Sequence, residues 1–236
     1  MEEGIIVIVQ KPCVLVPEIR ADNSILQKLE RYARVCYKSE DKMENQGNPN
    51  FLKSLIKRGH ESIIEHEKIT VLFVVDRGVS HELVRHRIAA YSQESTRYCN
   101  YSKDKFGSEI TVIEPYFFID NEEAYRRWEE ACLAAEKSYM ALLENGFSAQ
   151  EARSVLPNSL KTEIVVTYNL REWRHFFRLR CDPAAHPQMR QVTIPLLLLF
   201  REKLSVLFDD IEYDKNFPKQ HYARVLITDD LFNPGY

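Results

Sequence analysis

Only seven of the 236 residues are glycine, and none stand in the G-x-G-x-x-G spacing that lets a backbone close on a pyrophosphate. A Rossmann dinucleotide fold is therefore not expected. Cysteine is scarce as well: Cys13, Cys36, Cys99, Cys132 and Cys181 are scattered, odd in number and lack a C-x-x-C pair. That argues against a disulfide framework or a zinc ribbon and for a reducing, cytoplasmic setting. No apolar run is long enough for a membrane span, Ile194 to Phe200 being far too short, and no basic segment leads into such a run at the N-terminus. Excess positive charge is missing too. With a net charge of -3 the surface is not built throughout for nucleic acid, so any anion site must come from local clusters of arginine. There are no internal repeats or low-complexity linkers. The length suits a single domain, residues 1–236, with a sizeable core.

Hydrophobic periodicity supplies the elements. Ile5 to Val9, Ile69 to Val75, Ile110 to Ile113 and Ile164 to Tyr168 read as strands. A helix capped by Ser24 carries the stripe Leu26, Leu29, Ala33 and Cys36, which places Cys36 in the core. Asn48-Pro49 opens a second helix, with Leu52, Leu55 and Ile56 facing inward and Gly59 as its stop. A long helix runs from Asp120 to Glu144, closed by Gly146, and Ser148 with Glu151 forms a capping box. Asn169 with Glu172 repeats that spacing at the head of a helix carrying Arg171, His175 and Arg180. His186 to Asp209 is helical, with a kink or break expected near Pro195. The sum is an α+β fold, a central sheet flanked by helices; the tail beyond Pro218 takes no assignment.

The polar chemistry concentrates in Arg85 to Tyr98, RHRIAAYSQESTRY. Val79, Leu83, Val84 and Ile88 stand at roughly helical spacing, which puts the RHR triplet on the last turn of a short helix. There Glu82 and His86 would share a face, and the carboxylate would favour a charged imidazole. A solvated, dipole-complementing helix end explains the same residues without any function. The segment His60 to His66, HESIIEH, invites a zinc site but fails on spacing: H-E-x-x-H needs His where Ile64 stands, and H-x-x-E-H needs it at Ser62. No metal site is expected.

Arg87 is followed by seven residues and then by Ser95, Arg97 and Tyr98. This pattern resembles the signature of the flavin-dependent thymidylate synthases. Gly59, His60, Ser62, Glu65 and His66 are similar to that family's G-H-x-S/T-x-x-E-H motif, and Arg153 in EARSVLP and the set Asn169, Arg171, His175 and Arg180 also match. The matching motifs run from about residue 59 to 186; ARVCYKS near the N-terminus is a weaker likeness. Glu82 stands where some relatives have Gln, and SQES at Ser92 to Ser95 differs from the Asn-Glu-containing version in others.

The resemblance implies reductive methylation of deoxyuridylate (dUMP) to thymidylate (dTMP), with methylene-tetrahydrofolate as carbon donor, flavin adenine dinucleotide (FAD) as redox cofactor and NADPH as reductant. It also implies a homotetramer with active sites shared between subunits, and no nucleic-acid or membrane partner. His60, Ser62, Arg85, His86, Arg87, Gln93, Asn169, Arg171 and His175 are assigned to the cofactor. Glu82, Arg85, Gln93, Glu94, Ser95, Thr96, Arg97, Arg153 and Arg180 are assigned to the substrate. Without a glycine-rich loop, cofactor phosphates must be met by side chains such as Arg85, His86 and Arg87. Arg97 and Arg153 are the candidates for the nucleotide phosphate, and Arg180 is the catalytic residue, stabilising the ionised pyrimidine. Ser95 has no general base at fixed spacing and is read as a binding residue. The competing reading is a single-stranded nucleic-acid-binding module in which the arginines and Tyr91, Tyr98 and Tyr101 form a charged stacking surface.

Overall fold

The computed structural model describes residues 7–19, 24–43, 47–99, 101, 109–228 and 230. In chain order the elements are β1 (Ile8–Gln10), β2 (Cys13–Val16), α1 (Ser24–Tyr37), α2 (Pro49–Lys57), β3 (Lys68–Asp76), α3 (Arg77–Leu83), β4 (Ala89–Gln93), β5 (Thr111–Ile113), α4 (Glu122–Glu144), α5 (Ala149–Ala152), β6 (Lys161–Asn169), α6 (Leu170–Arg180), α7 (Pro187–Lys203), α8 (Ser205–Phe208) and β7 (Arg224–Ile227). Five strands form one sheet in the order β4-β6-β3-β2-β7; β1 and β5 form a parallel pair with Ile8 opposite Thr111. The class is α+β, as expected.

Two compact units make up the chain: Met1–Cys13, Phe73–Arg85 and Ser92–Val165 in the first, Val14–Leu72, His86–Tyr91 and Val166–Tyr236 in the second. The boundary falls inside β3, β4 and β6. The first unit has a core of Val7, Ile110, Val112, Cys132, Tyr139, Ala152 and Leu160, with Tyr101. In the second, Trp173, Phe176, Phe177, Phe200 and Phe208 are fully buried, and the Trp173 and Phe177 rings stack with centroids 5.5 Å apart. Edge-to-face contacts join Phe200 to Phe177 and Phe208 at 5.2 Å. This aromatic mass fixes the inner face of α6, so its opposite face is held rigidly for chemistry.

Most expected elements stand, with shifted ends. Asn48 caps α2 by accepting from the Phe51 amide at 2.9 Å, and Ser148 and Glu151 form their capping box. The long helix starts later than expected because Asn121, not Asp120, accepts from the Ala124 amide at 3.0 Å. Ser24 is already helical, and Cys36 is exposed, because the last turn of α1 has left the core. Of the strand expected over Ile5 to Val9, Ile5 and Ile6 lie outside the described residues. Arg153 sits beyond α5, in a 3-10 turn over Arg153–Val155.

Pro195 does not break α7. A proline cannot donate to the carbonyl four residues back, here Gln191, and that carbonyl instead accepts from the Ala223 amide at 2.9 Å. The break comes at Leu204, where φ is -134 and ψ 47. Beyond Pro218, Arg224–Ile227 form β7, an edge strand next to β2.

Candidate active site

The RHR triplet does not ride on a helix. Asp76 caps α3, its carboxylate accepting from the Val79 amide at 2.8 Å, and the helix ends at Leu83, so Arg85, His86 and Arg87 lie in the turn leading to β4. Arg85 and Arg87 are exposed there. His86 is only 4% exposed, and its partner is Glu172 of α6, not Glu82. Val84 and Ile88, expected on an apolar helical stripe, are 39% and 67% exposed.

His86 is gripped on both nitrogens. Nδ1 lies 2.9 Å from the Glu172 carboxylate, and the Arg180 Nε–H donates to Nε2 at 3.1 Å. Arginine has no acceptor, so Nε2 must be bare and the ring proton must sit on Nδ1, donating to Glu172. The pair is thus a hydrogen bond from a neutral imidazole, which corrects the expectation of a charged one. Burial, then the Arg180 guanidinium and His175, push this imidazole from 6.5 down to about 4. Burial likewise raises the Glu172 carboxyl, opposed by His175. Phe176 meets the His86 ring edge-on at 5.0 Å. Tyr91 donates to the His86 carbonyl at 2.5 Å, and its hydroxyl lies 2.9 Å from that of Tyr168.

Ligand-type atoms of His86, Glu172 and His175 fall within 4.8 Å of one another. They do not make a cation site as they stand, because Arg180 occupies one His86 nitrogen and a proton the other. Asn169 caps α6, accepting from the Glu172 amide at 2.8 Å. The expected capping box is not completed, since the Glu172 carboxylate is engaged with His86 instead.

Two cavities open on the second unit. One of about 500 Å3 is lined by Glu61, Glu65, Ile88, Asn169, Arg171, Glu172, His175 and Arg178. The other, of about 350 Å3, includes Tyr37, His60, Glu61, Ser62 and Arg171. Gly59, at φ +77, lets the chain turn out of α2 to present His60, whose Nδ1 lies 2.9 Å from the Tyr37 hydroxyl. Arg171 pairs with Glu65 at 2.5 Å, and Glu61 accepts from Arg174 at 3.1 Å and Arg178 at 3.2 Å. His66 packs against Tyr32 with ring centroids 5.0 Å apart.

The first unit gathers the other predicted residues: Glu82, Arg85, Gln93, Glu94, Ser95, Thr96, Arg97 and Arg153. The Gln93 amide nitrogen donates to Ser80 at 2.9 Å and Thr162 at 3.2 Å. Glu94 accepts from the Tyr101 hydroxyl at 3.1 Å. Ser95 Oγ accepts from the Arg97 amide at 3.3 Å. Arg97 and Arg153 are exposed, and make long contacts of 3.4 Å to Gln150 and Thr96 respectively. Of the three tyrosines in the nucleic-acid reading, Tyr98 is 81% exposed and Tyr101 only 5%, and the Tyr91 hydroxyl lies 2.9 Å from that of Tyr168.

Glu172, Tyr168 and Glu61 were not legible as site residues. Glu172 carries a capping signal that masks its real partner, 86 positions away in sequence.

The site is thus assembled on an α+β fold from side chains of α6 and of the turn before β4. A family profile described as thymidylate synthase complementing protein matches residues 19–204. The flavin-dependent thymidylate synthase of Geobacter sulfurreducens is 36% identical over 185 residues, covering 75% of this chain and 78% of that one. That of Pyrococcus horikoshii is 38% identical over 189 residues, covering 78% and 75%. A solved structure, the UMP/dUMP methylase PolB from Streptomyces cacaoi bound with 5-Br dUMP, shares the fold with a TM-score of 0.70 at 22% identity, covering 86% of this chain and 96% of that one. The chain belongs to the flavin-dependent thymidylate synthase family.

Proposed function

We propose that the protein converts dUMP to dTMP by reductive methylation, with methylene-tetrahydrofolate as carbon donor, FAD as redox cofactor and NADPH as reductant, working in the cytoplasm as a homotetramer with shared active sites. Family membership supports the reaction class. The observation that carries the reading is the buried Glu172–His86–Arg180 chain beside a cavity of about 500 Å3.

The residues fit the cofactor. The cavity wall joins the apolar side chain of Ile88 to amide, imidazole and guanidinium donors from Asn169, His175, Arg171 and Arg178, with the carboxylates of Glu61, Glu65 and Glu172 beside them. Such a mixture suits a flat heteroaromatic ring or a diphosphate. Arg171 is paired with Glu65, but both side chains are about half exposed. Exposed pairs are worth about 0–1 kcal/mol, so re-pairing with a phosphate costs little. His60 and Ser62 line the adjoining cavity. Bound flavin would supply the reducing equivalents that side chains cannot. Arg180 is assigned to the pyrimidine, where its cation opposes developing negative charge. Arg97 and Arg153, exposed and only loosely held, are assigned to the nucleotide phosphate.

The purified protein should be yellow, and its flavin, released by heat and identified by chromatography, should be FAD. A colourless preparation that takes up no added flavin would overturn the proposal.

A cysteine nucleophile has no place in this reading. Burial pushes the Cys181 thiol, next to Arg180, up to about 12, and that of Cys132 up to about 11. Neither is a thiolate at neutral pH. Cys99, adjacent to the Ser95 to Tyr98 motif, is half-buried. Cys99→Ala should keep most of the thymidylate formation of the unaltered enzyme; complete loss in a folded variant would point to covalent catalysis.

A further inference from the structure

Arginine side chains are long, and one that must meet charge only as it develops has to be held in place beforehand. Arg180 is the last residue of α6, where the helix no longer restrains it. Its contacts include one anchor on the backbone and one on the side chain. The Thr193 hydroxyl lies 2.9 Å from the Arg180 carbonyl and fixes the backbone, while His86 Nε2 takes the Nε–H and fixes the side chain. That second anchor works only if Nε2 is bare. An imidazole carrying its proton on Nε2 would set two donors 3.1 Å apart.

What selects the tautomer is the acceptor on the other nitrogen. Glu172 is 7% exposed, its carboxylate 2.9 Å from Nδ1, and it is carried by the same helix as Arg180. We infer that Glu172 is a positioning residue for Arg180: it keeps the His86 proton on Nδ1, so that Nε2 accepts from the guanidinium and aims its two Nη groups. The inference rests on the reading that Arg180 acts at the pyrimidine. Tyr91 and Phe176 support the arrangement by holding the backbone and one edge of the ring. The Nδ1–H donor and carboxylate acceptor repeat the logic by which an acid fixes the tautomer of a catalytic histidine elsewhere.

Histidine-selective 15N spectra of the whole enzyme, with the His86 signal assigned by its loss in His86→Asn, test this directly. The unaltered protein should show His86 protonated on Nδ1. Glu172→Ala should move that proton partly to Nε2 and lower kcat about ten- to a hundredfold, the range seen when hydrogen-bond partners of metal-ligating histidines are removed, a larger change than in dUMP affinity. Glu172→Gln, whose amide oxygen still accepts from Nδ1–H, should recover most of the loss. An Nε2-protonated ring in the unaltered enzyme overturns the inference, and so does Glu172→Ala with unaltered tautomer and turnover. These outcomes are separable from failure of the underlying reading. In that case Arg180→Ala stays active while the His86 tautomer still responds to Glu172.

Discussion

Arg180→Ala should lower thymidylate production on the order of a hundredfold or more while leaving flavin content close to normal. An interaction made mainly with charge that appears in the transition state is lost from the rate and not from ground-state binding. The structure adds a reason why lysine should rescue poorly. Arg180 donates its Nε–H to His86 at 3.1 Å, and a guanidinium carries two further nitrogens at the end of its plane. A lysine has one nitrogen for both tasks, so anchoring it on His86 takes the cation away from the ring it is meant to serve. Flavin content, dUMP affinity and turnover measured side by side in Arg180→Ala and Arg180→Lys decide the matter. Near-normal turnover in the alanine variant would remove Arg180 from catalysis, while loss of flavin with unchanged nucleotide affinity would move it to the cofactor.

The sequence showed which residues carry chemistry better than it showed how they meet. Strand β3 and helices α2 and α6 were visible because their patterns are local: an uninterrupted β-branched run, an Asn-Pro start, and an Asn169 cap. The turn holding the RHR triplet was not. Val79, Leu83, Val84 and Ile88 keep a helical period, yet only Val79 and Leu83 are buried, because a tertiary bond to Glu172 pulls His86 off the helix path. Local spacing offered Glu82 as partner, and Glu172, distant along the chain, won. Pro195 does not interrupt its helix. Its rule-breaking position was correctly noticed, but the compensating donor is the Ala223 amide, contributed by a tail without a readable pattern. Short edge strands such as β7 bury only part of one face, so they leave almost no periodic trace.

The pH dependence of stability should carry a separate signature of His86. In the folded protein its imidazole is held at about 4 against 6.5 when free, by burial first and then by Arg180 and His175. Above 6.5 the ring is neutral in both states and its contribution is fully present. As pH falls from 6.5 toward 4, the unfolded chain takes a proton that the folded one refuses, so stability drops. The full difference corresponds to roughly 3 kcal/mol, or on the order of 2 kcal/mol once screening by nearby solvent is allowed for. Glu172 works against this slope. Its carboxyl is raised by burial, so its own contribution is present below the unfolded value and is lost as pH rises through the folded one. Tyr91 and Tyr168, both raised by burial, stay protonated throughout. The exposed His175 ring lies with its centroid 5.5 Å from that of His86. Subtracting the stability curve of His86→Asn from that of the unaltered protein, each measured by urea unfolding from pH 7.5 to about 4, isolates His86 together with its coupling to Glu172 and His175. The difference should favour the unaltered protein most at neutral pH and shrink by about 2 kcal/mol on acidification. Parallel curves would mean that folding leaves the proton affinity of His86 unchanged, and a difference that grows toward low pH would mean that His86 is held charged in the folded state, without a bare Nε2 for Arg180.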